Sequence, residues 1–160
     1  MRVYLDGREL GLRFSACHVI PGHGKCGRLH GHTYHVSIEL RGRRTEPHGF
    51  VYDFDRLKSL VRELIKPLDH RVLIPTESDQ FRVRREDGEV EVELPDGKRY
   101  VFPEEDVAFV PAESLSAEDL ARYLARELRR ELEGEENLKE LRVRVDEGWG
   151  QGAEARVRLG

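Results

Sequence analysis

The sequence predicts a single α+β domain in which an antiparallel sheet carries its helices on one face. Stretches of alternating apolar and polar residues come in groups, and only two longer stretches repeat with the period of a helix. The segments follow the order strand, strand, helix, small meander, helix, strand, strand. Strands that do not alternate singly with helices argue against a parallel sheet, and the α+β class follows.

Two extended stretches open the chain, at about 2–5 and 10–20. The dipeptide Asp6-Gly7 between them is a turn signal that is compatible with a hairpin. Successive side chains of a strand point to opposite faces, so one face of the second stretch carries Phe14, Ala16 and His18. A loop rich in glycine follows it.

The next strand covers about 30–40 and begins with two histidines. The alternation places His30 and His32 on one face, with the small Gly31 between them leaving the backbone unobstructed. Three apolar residues share that face: Val36, Ile38 and Leu40. The pattern is typical of a half-buried strand, and its first end carries two imidazoles.

The first amphipathic helix opens at Asp53 or Asp55, either of which can serve as N-cap, and runs to about Ile65. Pro67 ends it, because proline cannot continue the hydrogen-bond ladder. Its apolar stripe consists of Leu57, Leu60, Val61 and Leu64.

Residues 77–110 behave as a β-meander inserted between the helices. Three short alternating stretches are separated by the turn signals Asp87-Gly88 and Asp96-Gly97. The stretches are heavily charged on one face, so we expect the meander to lie at the periphery.

The second helix runs from about Ala117 to Glu133, with Ser116 as a plausible cap. One side of this helix is apolar, through Leu120, Tyr123, Leu124 and Leu128. Two further strands, 141–145 and 153–159, complete a single domain over residues 1–160.

The composition of the chain argues against several classes of protein. A formal net charge of −4 gives no electrostatic case for nucleic acid as a partner. No apolar run approaches the length of a membrane span, and the first residues lack the apolar core of a signal peptide, so we expect a cytoplasmic protein. The two cysteines are then better interpreted as thiols than as a disulfide. A charged fraction of 36% with few thermolabile residues favours a thermophilic source.

Three histidines are candidate metal ligands. If the first long strand, at about 10–20, pairs with the next strand as its neighbour, His18 could lie beside His30 and His32. Three neutral imidazoles leave one tetrahedral position open, which is the arrangement of catalytic zinc. The alternative is three unrelated histidines, which is the more common situation for any one of them.

The thiol of Cys26 lies four residues before His30, and it has two metal-related interpretations. As a fourth ligand it would close the metal into a structural site. Kept off the metal, it would act as a base or nucleophile, and its glycine-rich loop favours access. An inert buried thiol is the third alternative, and it suits Cys17, inside an apolar strand, better than Cys26.

Two carboxylates complete the candidate site. Asp69 precedes His70, and a carboxylate near an imidazole can tune a proton shuttle, although a simple turn after Pro67 also accounts for the pair. Glu147, near a strand end, can accept two parallel N–H bonds from a guanidine-like edge, or it can be an ordinary exposed charge.

In combination, these motifs resemble the 6-pyruvoyltetrahydropterin synthase / 6-carboxytetrahydropterin synthase family. The resemblance covers nearly the whole chain apart from the meander, and the wording Cys-Gly-Arg-Leu-His-Gly-His is most similar to the bacterial and archaeal carboxy branch. The matching segments are Phe14-Ser15-Ala16-Cys17-His18, Cys26 to Tyr34, Val51-Tyr52-Asp53-Phe54, Leu68-Asp69-His70 and Val145-Asp146-Glu147.

This resemblance implies a tunnelling fold (T-fold), a four-stranded antiparallel sheet with two helices on one face, here with the inserted meander. It implies a homo-oligomer, commonly a hexamer of two trimers, whose active sites lie between subunits. The implied substrate is 7,8-dihydroneopterin triphosphate, and the carboxy branch acts in 7-deazaguanine (queuosine or archaeosine) synthesis. The carboxy branch releases triphosphate and acetaldehyde.

The resemblance also implies residue roles. His18, His30 and His32 match the zinc ligands, and Cys26 matches the catalytic thiol. Asp69 and His70 match the proton-transfer partners, and Glu147 matches the carboxylate that anchors the pterin ring.

Three features depart from the family pattern. Cys17 replaces the usual small residue before the first zinc histidine, and the family chain is normally shorter at 77–110. The motif that helps to hold the pterin is recognisable only loosely, in 114–118. Three alternatives to a carboxy-type synthase therefore stand: a pyruvoyl-type synthase, a relative that makes 6-hydroxymethyl-dihydropterin, and a zinc-stabilised structural or interaction domain.

Overall fold

The computed structural model describes residues 1–160 as ten strands and two α-helices. The strands are β1 Arg2–Leu5, β2 Arg13–His18, β3 His30–Gly42, β4 Arg71–Pro75, β5 Arg82–Glu86, β6 Glu89–Glu93, β7 Arg99–Pro103, β8 Val107–Val110, β9 Leu138–Gly148 and β10 Gln151–Arg158. The helices are α1 Phe54–Ile65 and α2 Ala117–Glu131.

The main sheet has seven strands and is mixed, so the prediction of four antiparallel strands was incomplete. Strands β10, β9, β3 and β2 do form an antiparallel set in that order. The sheet then continues through β4 and β8, which pair in parallel. Both added strands are short apolar runs, and a strand of that kind shows no alternation that would reveal it. The fold is still of the α+β class, and β4 and β8 extend the sheet beyond β2.

The hairpin considered at Asp6-Gly7 does not form. Strand β1 pairs with the second half of β3, where Val3 lies opposite Leu40, while β2 pairs with the first half. The 13 residues of β3 are long enough to hold both partners end to end. Gly7 makes this possible, because a Cβ at that position would lie 2.3 Å from the carbonyl oxygen of Val36.

Both helices begin where their capping residues predicted. The Asp53 side chain accepts a hydrogen bond from the Arg56 N–H at 2.8 Å, and Ser116 caps α2 through the N–H of Asp119. Helix α2 ends at Glu131, two residues earlier than expected. The apolar stripes of both helices pack on one face of the main sheet, and together they form the principal core. Neither helix is long and apolar enough to cross a bilayer.

The meander is a separate three-stranded sheet of β5, β6 and β7, as expected, but it is shorter than 77–110. Its last segment, β8, leaves it for the main sheet. One side of the meander forms a small second core in which Val90, Val92 and Leu94 pack against Val19 and Ile74. The meander thus packs against Val19, the residue directly after His18, at the edge of the candidate site.

Candidate metal and catalytic site

The three predicted histidines converge. Strands β2 and β3 pair with His18 opposite His30, and alternation brings His32 to the same face. The Nε2 atoms of His18 and His30 are 3.1 Å apart, and one ligand atom from each of the three rings lies within 4.8 Å of the others. Gly31 permits the close strand approach, since a Cβ there would come to 3.0 Å from the carbonyl oxygen of Ala16.

Two of these rings are oriented by backbone carbonyls. The Nδ1 of His18 lies 2.8 Å from the carbonyl oxygen of Leu115, and the Nδ1 of His30 lies 2.7 Å from that of Arg28. A carbonyl can only accept, so each Nδ1 donates its proton and each Nε2 lone pair is left facing the group. This second contact is the one that metal-binding histidines usually make.

The donor set fits a tetrahedral zinc ion. Two nitrogens that each bind zinc at about 2.0–2.1 Å lie about 3.3 Å apart at the tetrahedral angle, close to the separation of the two Nε2 atoms. Burial, with the two neighbouring imidazoles, lowers the pKa of His18 to about 4 despite its hydrogen bond to Leu115. The neutral imidazole that results is the form that binds a metal.

The group is open on one side. His18 is 2% exposed, whereas His30 and His32 are half-buried. Cys26 is not part of the group that could hold the ion. It lies in a 3₁₀ helix, Gly24–Gly27, and is half-buried. Three donors with a solvent-facing side give the coordination that a catalytic metal requires, with one position free for a substrate.

Tyr34 extends the row of histidines, and sequence reasoning did not single it out. Its buried hydroxyl lies 3.3 Å from Nδ1 of His18. Burial raises the pKa of this phenol, and the carboxylate of Glu147 adds to the effect. The signal was present in the sequence, because Tyr34 continues the same period-two alternation as His30 and His32. The carbonyl of Leu115 had no such signal, since it lies 97 residues from His18.

Glu147 lies on the histidine side of the sheet. It follows Asp146, which pairs with His35, so it stands opposite Tyr34 on the neighbouring strand. Alternation puts its side chain on the face of Val145, which packs in the principal core. Its Oε1 accepts a hydrogen bond of 3.3 Å from Gln151, and the side chain remains partly accessible. A carboxylate at this place can meet a ligand that approaches the metal group.

Asp69 and His70 do contact each other, which the dipeptide alone could not establish. Oδ2 of Asp69 lies 2.9 Å from Nδ1 of His70, and Oδ1 accepts a hydrogen bond from the backbone N–H of Ser15. That backbone hydrogen bond is the main reason why the pKa of Asp69 is lowered. His70 has a left-handed backbone with a φ of 58° and an 82% exposed side chain. An ionised carboxylate thus orients an imidazole that points into solvent.

Within one chain, this pair is separate from the histidine group. Ser15, to which Asp69 and His70 are both hydrogen-bonded, is three residues before His18 on β2, about 10 Å along the strand. Beside His70 an open concavity of about 540 Å³ is lined by Ser15, Cys17 and Thr33, whose side chains alternate away from the histidines, and also by His32 of the group. His32 and His70 thus both border this concavity, although neither Asp69 nor His70 belongs to the group that could hold an ion.

Comparison with known proteins gives consistent matches. A family model described as 6-pyruvoyl tetrahydropterin synthase matches residues 9–158. A Methanocaldococcus jannaschii protein, provisionally named 6-carboxy-5,6,7,8-tetrahydropterin synthase, is 38% identical over 155 residues, which cover 96% of this chain and 94% of that protein. A Haemophilus influenzae protein named 6-carboxy-5,6,7,8-tetrahydropterin synthase is 42% identical over 62 residues, 36% of this chain and 44% of its own length.

Among solved structures, 6-pyruvoyl tetrahydropterin synthase from Plasmodium vivax superimposes with a TM-score of 0.90 at 28% sequence identity. The superposition covers 99% of this chain and 98% of the Plasmodium chain. The similarity therefore extends over the entire fold, including the region of the meander.

Proposed function

Because the chain belongs to the 6-pyruvoyl tetrahydropterin synthase family, we propose that it is a zinc-dependent 6-carboxy-5,6,7,8-tetrahydropterin synthase. Its substrate would be 7,8-dihydroneopterin triphosphate, and its reaction would release triphosphate and acetaldehyde in 7-deazaguanine biosynthesis. The observation that carries the proposal is the convergence of His18, His30 and His32 around a site with one open side. The names of the archaeal and bacterial relatives favour the carboxy product.

His18, His30 and His32 would hold the zinc ion. When bound there, zinc supplies Lewis-acid polarisation of hydroxyl and carbonyl oxygens on the substrate side chain, which acidifies the neighbouring C–H bonds. The carbonyls of Leu115 and Arg28 keep two of the three imidazoles in the ligating orientation.

The proton transfers fall to Cys26 and His70. The Cys26 side chain stands before the metal-binding strand and, as its thiolate, can take a proton from the side-chain carbon of the substrate. His70 can move a proton on the other side of that carbon, with Asp69 holding its ring through Nδ1. Asp69 thereby acts as an orienting carboxylate, which suits its lowered pKa.

The separation of His70 from the histidine group leads to a proposal about assembly. We propose that a second copy of the chain brings its Asp69 and His70 to the metal group of the first, in a homo-oligomer built on trimers. Supporting this, His70 is 82% exposed beside an open concavity and does not belong to the histidine group of its own chain. A residue outside the metal group of its own chain can still act if the site is formed between copies.

Mixed oligomers test this arrangement. Cys26→Ala and His70→Ala should each lack turnover alone, while oligomers assembled from an equal mixture should recover about one quarter of the wild-type rate, because one pairing in four restores both residues. Each variant refolded with itself is the control, and light scattering should find a multimer in every sample. A monomer, or no recovery in mixtures, would show that the site does not combine residues of two copies.

The Glu147→Gln variant tests the proposed pterin anchor. A neutral amide offers one acceptor oxygen where a carboxylate offers two, so we expect KM to rise by a factor of about 10–100, from the loss of a charge-assisted pair. Zinc content should not change, because Glu147 is outside the metal group. Exposed Glu154 on the adjacent β10 provides a control, Glu154→Gln. An unchanged KM in Glu147→Gln would remove this residue from the site.

The reaction itself is tested by incubating the zinc-loaded protein with 7,8-dihydroneopterin triphosphate and analysing both products by mass spectrometry. The expected result is 6-carboxy-tetrahydropterin with one equivalent of acetaldehyde. The Plasmodium vivax structure is named as a pyruvoyl synthase, which makes 6-pyruvoyl-tetrahydropterin without acetaldehyde the second candidate outcome. Absence of any change in the pterin would contradict both.

A further inference from the structure

The meander contacts the loop that carries Cys26 at both ends of that loop. At the start of the loop, Val19 packs in the small core with Val90, Val92 and Leu94 of the meander. At its end, Nζ of Lys98 donates a hydrogen bond of 2.9 Å to the carbonyl oxygen of Gly27. Gly27 directly follows Cys26, and two residues, Arg28 and Leu29, separate it from the strand that begins at His30.

Lys98 is itself held in place. It follows the Asp96-Gly97 turn, and its backbone N–H donates to the Asp96 side chain at 3.1 Å. The Asp96 carboxylate also lies 3.3 Å from the Lys98 ammonium. The Lys98 carbonyl accepts a hydrogen bond from Leu94, which is 3% exposed in the small core. The backbone from which the Lys98 side chain extends is therefore fixed against the small core, and Asp96 holds the ammonium group from one side.

External support matters for this loop because residues 22–25 are exposed. Four backbone hydrogen bonds tie it internally: Ile20 donates to the Cys26 carbonyl, His23 to that of Ile20, Gly27 to that of His23, and Arg28 to that of Lys25. Gly22 and Gly24 have φ values of 74° and 42°, which favour glycine and leave this part of the chain without side chains to pack. Gly27, in contrast, is buried at the point where Lys98 reaches it.

We propose that Lys98 is a positioning residue, contributed by the meander, that holds the Cys26 loop in its reactive geometry. The inference rests on the proposed role of Cys26 and extends it by giving the insertion a task in the reaction. Lys98 would act through the Gly27 carbonyl and would not touch the substrate. Because a misplaced proton-transfer group slows the chemical step more than it weakens substrate binding, the effect should fall on kcat.

The kinetic test uses Lys98→Met, which retains an unbranched stem but removes the donor. We expect kcat to fall about tenfold, as for a small misplacement of a reacting group, with KM within about twofold of the wild type. Lys98→Arg should recover most of the lost rate, because it restores a donor at that place. Arg99→Met is the matched control. Arg99 is the exposed cation next to Lys98 and makes no ion pair, so this variant should behave as the wild type.

Two activity-independent measurements accompany the kinetics. In Lys98→Met, amide hydrogen exchange should be faster over residues 22–28, and the alkylation rate of Cys26 should change in a Cys17→Ala background. Equal loop exchange in Lys98→Met and Arg99→Met would overturn the proposal, as would equal kcat and alkylation. If the wild type does not convert dihydroneopterin triphosphate, the proposed function fails. Unchanged loop exchange in Lys98→Met overturns the positioning role of Lys98 independently of activity.

Discussion

Replacing His30 by alanine is expected to remove stoichiometric zinc and to lower turnover by a factor of at least about 10³, because two remaining imidazoles hold the ion weakly and the polarisation it supplies is lost. His30 is the most informative of the three proposed zinc ligands. His18 is buried and hydrogen-bonded to the Leu115 carbonyl, so its removal would also leave a cavity and an unpaired acceptor. His30 is half-buried, and its loss should leave the sheet intact.

The stability comparison for this variant has to use metal-free protein. A ligand that binds only the native state raises the melting temperature, so zinc-loaded wild type would look more stable for that reason alone. In metal-free form, His30→Ala and the wild type should melt within about 4 °C of each other, the shift expected for about 1 kcal/mol or less. Full turnover in a zinc-free His30→Ala sample would refute the metal assignment.

His48 offers the matched control for this variant. It is an exposed histidine that stacks on Phe50 in the connection after β3, away from the three-histidine group. We expect His48→Ala to bind one zinc per chain and to retain wild-type turnover. Loss of zinc in this variant would point to a different metal site.

The second large effect is expected for Cys26→Ala. This variant should retain zinc, because the three histidines form the metal group without the thiol. Turnover should fall by a factor of about 10²–10⁴, the usual contribution of a positioned proton-transfer group. Metal analysis and kinetics on the same sample check both halves of the prediction. Cys17→Ala, in which the other thiol is removed, should retain both zinc and activity.

This experiment also separates an enzyme from a zinc-stabilised structural domain. In a structural site Cys26 would be the fourth ligand, so Cys26→Ala would lose zinc and unfold, since binding of a structural metal is coupled to folding. Retained zinc with lost turnover favours catalysis. Lost zinc with a cooperative fold still present would contradict both, and would place Cys26 on the metal of an otherwise stable domain.

Features with a local signal were predictable from the sequence. Asp53 and Ser116 cap their helices as expected, because an N-cap needs only its own next three residues. The shared face of His30 and His32 follows from the period of a strand. Pairing of consecutive strands then brought His18 opposite His30.

Features set by distant parts of the chain were not predictable in this way. Strand β8 pairs in parallel with β4, a contact that no repeat or turn signal announces. The Leu115 carbonyl reaches His18, and Lys98 reaches Gly27, across 97 and 71 residues respectively. The placement of Asp69 and His70 relative to the metal group was equally hidden, because it depends on β4 returning beside β2 after α1.

Zinc K-edge X-ray absorption on the purified, metal-loaded protein tests the central claim most directly. We predict a first shell of light atoms alone, three imidazole nitrogens and one further nitrogen or oxygen at about 2.0–2.1 Å, with no sulfur. The spectrum should change when dihydroneopterin triphosphate is added, because the fourth position is available to it. A sulfur neighbour at about 2.3 Å in the resting protein would contradict this account, since Cys26 would then fill that position.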